Sequence, residues 1–143
     1  MAHLILRLYG LEEVPGEVNN PQIVQFFKDI GCSWVQDDET AWCSALINWA
    51  ALKAGLERSG KLDARSWLGI GTKTANPIKG ETIVIFWREN INSWKGHVGI
   101  YMGEGEDEIY CLGGNQDNMV NIKPYKKHFL LGYRNLRPLK TKF

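Results

Sequence analysis

The feature that most limits the fold is a change of period near Glu81. Upstream, apolar residues recur at helical spacing; downstream they fall in short β-branched or aromatic runs between turn residues. Ile23, Phe26, Phe27 and Ile30 sit at i, i+3, i+4, i+7, with Asn20 as a cap, Pro21 at the first helical position and Gly31 as the stop. A second helix is predicted over residues 41–54, after Asp37, Asp38, Glu39 and Thr40 and before Gly55. Shorter helical pieces are expected at 4–9 and 64–68. Downstream, residues 82–87, 97–102, 108–112, 119–122 and 129–134 read as five strands, and the Gly-rich spacer 103–107 predicts a hairpin. Helices first and strands second predict an α+β domain, with N-terminal helices packed on a roughly five-stranded antiparallel sheet. A length of 143 residues without linker or repeat suits one domain.

Charge argues against some functions. Seventeen Lys and Arg against sixteen Asp and Glu leave a net charge of +1, which supplies no global field for nucleic acid. Locally, no Asp or Glu follows Asp117, whereas seven Lys or Arg do, from Lys123 to Lys142. That run is either a solvated face with a basic tail or a surface for an anionic polymer. The longest apolar run, 83–87, falls far short of the roughly 18 residues of a spanning helix, so no membrane span is expected. The opening MAHLILRLYG is too short in apolar residues for a signal peptide, which predicts synthesis in the cytoplasm. Cys32, Cys43 and Cys111 show no CxxC spacing and suggest neither a disulfide framework nor a zinc site. Asp37, Asp38 and Glu39 lack the spacing of a calcium loop, so neither metal nor cofactor is expected.

Cys43 is placed in the first turn of the predicted second helix, where unpaired N–H groups and the positive dipole end favour a thiolate. A cysteine there is equally a small core residue unless a base accompanies it. His97 opens the strand HVGIYM, whose alternation puts His97, Gly99 and Tyr101 on one face and Val98, Ile100 and Met102 on the other. If the Val98 face meets the core, His97 faces away from it. A histidine base needs a group on its second nitrogen, and Asn115 in LGGNQD is the candidate, with Gln116 and Asp117 in reserve. Turn chemistry alone also explains GGN. The Cys43 N–H and Gln36 are candidates for stabilising an oxyanion. Trp42, Trp94 and Gln116 are candidates for lining a substrate cleft.

Cys, His and Asn in this order, on a helix and two adjacent strands, have the logic of a papain-like hydrolase. The segments DDETAWCSALINWA, ARSWL, WKGHVGIY, CLGGNQ and LLGYR resemble the CHAP and NlpC-type cysteine peptidase superfamily, in particular small bacterial and phage members acting on peptidoglycan, over residues 10–134. The resemblance implies a Cys43 nucleophile, a His97 general base and an Asn115 orienter, cleaving an amide in the peptide part of peptidoglycan as an amidase or endopeptidase through a thioacyl-enzyme. Some relatives carry an acid two residues before the Asn; that position here is Gly113, so no auxiliary carboxylate carries over. With peptidoglycan as partner, a chain made in the cytoplasm would need holin-assisted release, a phage tail or a secretion apparatus to reach it. Two other readings remain: an acyltransferase or thioesterase, which requires an apolar groove at Cys43, and a non-catalytic wall-binding module, which needs no nucleophile.

Overall fold

In the computed structural model, which describes residues 1–12, 20–32 and 42–139, the expected change of period becomes a boundary between layers. Helix α1 (Ala2–Leu6) is followed by α2 (Pro21–Asp29), where the Asn20 side chain accepts from the Gln22 N–H and Pro21 occupies the first position. Ile23, Phe26, Phe27 and Ile30 are buried, and Gly31 leaves the helix at φ +86°. Helix α3 (Cys43–Lys53) comes next, with Trp42 at its cap position. The last predicted helical piece, residues 64–68, is a 3-10 helix, Ala64–Gly69.

The strands are β1 (Thr72–Thr74), β2 (Ile83–Trp87), β3 (Gly96–Glu104), β4 (Glu108–Gln116), β5 (Met119–Lys126) and β6 (Leu130–Asn135). They form one antiparallel sheet in the order β1-β6-β2-β3-β4-β5, six strands where five were expected. The additional strand is Thr-Lys-Thr, a three-residue edge with no apolar alternation to announce it. The β3–β4 hairpin forms as expected, closed by the Gly105 N–H on the Glu108 carbonyl. Residues Asp117 and Asn118, both at positive φ, turn β4 into β5.

The two sheet faces carry different cores. Ile83, Ile85, Val98, Ile100, Leu112 and Val120 pack with the helices, burying Phe26, Phe27, Trp42, Leu46 and Trp67. Val84, Phe86, Tyr101, Ile109 and Cys111 form a smaller cluster on the far face, covered by Tyr125, Phe129, Leu130 and Tyr133. This division matches the alternation read from HVGIYM.

Helix α3 and its cap residue pack tightly on the sheet at Gly114, where an added Cβ would run into the six-membered ring of Trp42 and approach Leu46 Cδ2 at 3.0 Å. Both neighbours are fully buried and have no room to retreat. Gly114→Ala is therefore expected to cost about 1–3 kcal/mol of stability by overpacking, read as a lower urea midpoint.

Candidate active site

Cys43 begins α3, so the N–H groups of the first turn have no intrahelical partner there. The start of the helix is pinned from below. The Ser44 hydroxyl donates to the Lys61 carbonyl at 2.7 Å and accepts from Trp67 Nε1 at 2.9 Å. One turn on, Asn48 donates to the carbonyls of Ser44 and Lys61 and accepts from the Gly60 N–H. These bonds fix where the thiol can point.

The thiol points into a gap between strands. The Tyr101 N–H donates to Thr82 on the β2 side, so the N–H of Val98, three residues earlier, faces β4. The β3–β4 ladder ends at Ile100–Leu112, before it reaches Val98, and the Cys43 sulfur takes that free N–H instead. The gap gives a helix-side cysteine access to residues beside His97. Burial pushes the thiol pKa up, against the Val98 N–H, the Arg88 charge and the N–H groups of Ser44 and Cys43, and burial wins. The activation expected from helix position is thus outweighed in the resting protein.

His97 is fully buried on the far face, its ring stacked 5.0 Å from that of Tyr125. Its Nε2 lies 2.8 Å from Gln116 Oε1. The Gln116 amide nitrogen donates to the Cys111 carbonyl at 3.1 Å and to the Asn121 backbone and side-chain oxygens at 2.9 and 2.8 Å. Those three partners only accept, so the amide orientation is set and Oε1 must accept from His97. The ring proton therefore sits on Nε2, and Nδ1 offers its lone pair, with Arg88 Nη2 at 3.3 Å. Burial first, then the Arg88 charge, pull the His97 pKa down to about 3, so the resting imidazole is neutral.

The group on His97 is thus Gln116, not Asn115. A regular continuation of the β3–β4 register would set residue 115 opposite His97, as the sequence reading assumed. The β4–β5 register shifts between Gly113 and Gln116, and Asn115 is at φ 58° inside that bulge. A left-handed residue there re-aims the chain by one position and turns Gln116 inward. Gly113 makes the room, since a Cβ on it would come within 2.8 Å of Gln116 Oε1. Gln116 is accordingly a buried positioning group rather than part of a cleft wall.

Cys43 and His97 line two different cavities, both of which Arg88 also lines. One, of about 220 Å³, is lined by Cys43, Leu62, Asp63, Ala64, Arg88, Trp94, Lys95 and Gly96. The other, of about 260 Å³, is lined by Phe86, Trp87, Arg88, Glu89, His97, Tyr125 and Phe129. Trp94, 71% exposed, lines the Cys43 cavity, whereas Trp42 is fully buried under Gly114 and lines neither of these two cavities. The wall carrying Trp94 is held by Arg65, whose guanidinium donates to the carbonyls of Lys95, Ile91 and Asn90 at 2.8, 2.7 and 2.9 Å. Arg65, Arg88 and Asn121 escaped the sequence reading. Arg88 had a signal: alternation along β2 aligns it with Phe86, the residue paired with His97.

Gln36 and the acids 37–39 lie outside the described residues. Among the described residues no group of three or more His, Cys, Asp or Glu converges to hold a metal ion, and no helix is long and apolar enough to cross a membrane. The C-terminal basic run is dispersed in space. Lys123 pairs with Asp117, Lys127 with Glu104 and Arg137 with Glu57, while Lys140 and Lys142 are outside the described residues. Acids earlier in the chain thus pair three of the seven basic residues, which weakens the case for an anionic-polymer surface.

No family model matches the chain, and no curated protein or solved structure matches it.

Proposed function

We propose that the protein is a papain-like cysteine hydrolase that cleaves amide bonds in the peptide part of bacterial peptidoglycan. The observation carrying the reading is the Cys43 thiol at a helix N-terminus against the Val98 N–H, next in sequence to a His97 whose tautomer leaves Nδ1 free of a proton. In the reaction, the Sγ proton passes to Nδ1 and the thiolate attacks the amide carbonyl. The oxyanion forms at N–H groups of the first α3 turn, which have no intrahelical partner. Protonated His97 returns the proton to the leaving amine, and water then hydrolyses the thioester. Gln116 holds the ring throughout. The substrate assignment rests on the resemblance of the Cys43, His97 and LGGNQ segments to wall-active relatives, with Trp94 at the cleft mouth as a surface for stacking.

An acyltransferase would need an apolar groove continuous with the sulfur. The aromatic cavity is lined by His97 and not by Cys43. The hydrolase reading therefore leads. Purified peptidoglycan incubated with wild type should release muropeptides carrying a new amine and carboxyl, whose masses tell amidase from endopeptidase. Cys43→Ala should release none. Equal release by both proteins, or none by a folded wild type, would overturn the reading.

A further inference from the structure

Arg88 belongs to both cavities, and its Nη2 lies 3.3 Å from His97 Nδ1. Because Nε2 is committed to Gln116, Nδ1 is the nitrogen that must receive the thiol proton. In the resting protein that lone pair is occupied by a guanidinium that also hydrogen-bonds the Tyr125 hydroxyl. Arg88 is exposed, and among the described residues it has no ion-pair partner. The adjacent Glu89 is taken by Lys95 at 2.7 Å, which also neutralises the other cation of the Cys43 cleft. A guanidinium fork binds a carboxylate through two charge-assisted hydrogen bonds, better than it binds a neutral imidazole nitrogen and a neutral phenol oxygen.

We propose that Arg88 is a carboxylate-operated latch on the base: a substrate carrying a carboxylate beside the scissile amide draws the guanidinium off Nδ1 and frees the ring to accept the Cys43 proton. This rests on Cys43 and His97 acting as nucleophile and base, and it names the substrate class as acidic acyl or peptidyl amides. With the latch open, the Sγ–H electron pair stays on sulfur and forms the S–C bond. The proton waits on Nδ1 and leaves on the amine when the C–N bond breaks. Arg88 also favours the Cys43 thiolate, but only through its field, whereas it touches the ring. Contact at short range outweighs the field across the gap, so the net effect of a closed latch is to resist proton transfer.

Two alkylating reagents of nearly equal size test this on the full chain, without any wall substrate. Iodoacetate carries a carboxylate and iodoacetamide does not. Rates at Cys43, followed by peptide mass and divided by the rates with free cysteine, should favour iodoacetate by roughly tenfold in wild type. In Arg88→Ala, or Arg88→Gln if the first variant folds poorly, the iodoacetamide rate should rise by roughly tenfold and the preference should vanish. Loss of the preference without acceleration by the neutral reagent would mean simple attraction of anions and would overturn the latch. So would an unchanged ratio, and in either case the hydrolase reading would stand. Failure of Cys43 to react with either reagent in every variant would overturn both.

Discussion

Gln116→Ala is expected to lower stability by about 2–4 kcal/mol and turnover by roughly 10²-fold or more, while Asn115→Gly leaves both near wild type. Gln116 is 1% exposed and its amide serves His97, Cys111 and Asn121 at once. Truncation orphans the buried Nε2–H of His97 together with two carbonyl oxygens, and each buried group left without a partner costs about 1–3 kcal/mol. The ring, no longer held at Nε2, loses both its tautomer and its aim at the thiol. Asn115 makes no bond to His97 among those described, and glycine tolerates its φ of 58° without strain. Urea unfolding and muropeptide release measure the two effects separately. A dead Asn115→Gly beside an active Gln116→Ala would return the positioning role to Asn115.

Acidification should unfold the protein well before its carboxylates are fully protonated. His97 titrates near 6.5 in the unfolded chain and at about 3 in the folded one, so between those values only the unfolded state binds the proton. Stability is then fully present above pH 6.5 and falls as the pH drops, at up to about 1.4 kcal/mol per pH unit, to a ceiling of about 5 kcal/mol near pH 3. Glu57, Glu89 and Glu104, whose pKa values are lowered by Arg137, Lys95 and Lys127 respectively, add to the loss only below their ordinary range near 4.5. The upper half of the window therefore belongs to the buried imidazole. His97→Gln removes the titrating group and should flatten the slope of urea-derived stability between pH 6.5 and 4.5. An unchanged slope in that variant would assign the acid sensitivity elsewhere.

The helical half of the chain was the easiest to read, because caps and periodicity are local. Asn20 and Pro21 start α2 as expected, and Cys43 opens α3. Alternation along HVGIYM correctly divided β3 between two faces, which put His97 away from the helices. What escaped depends on contacts between distant segments. A bulge is a mismatch between two strands, so nothing in LGGNQD by itself tells Asn115 from Gln116. Trp42 looked like a cleft residue because it adjoins Cys43, yet Gly114, on a strand far along the chain, accommodates its ring in the core. The activated thiolate was argued from a helix end alone, whereas the balance at Cys43 is decided by burial that only the assembled layers create.

The placement of β6 has a consequence for the order of folding. Strands β2 to β5 follow one another as a meander that local hairpins can build, and this unit already carries His97, Gln116 and Asn121. β6 must then insert between β1 and β2, which are consecutive in the chain but do not touch in the sheet. Until it does, β2 exposes an open edge bearing Ile83 and Ile85, the kind of template to which a strand from another molecule adds. The period of greatest risk for misassembly thus comes after the residues around His97 have met and before the sheet is sealed. Slow arrival of one distal strand, rather than difficulty in forming the seam around His97, would set the tendency of this chain to aggregate.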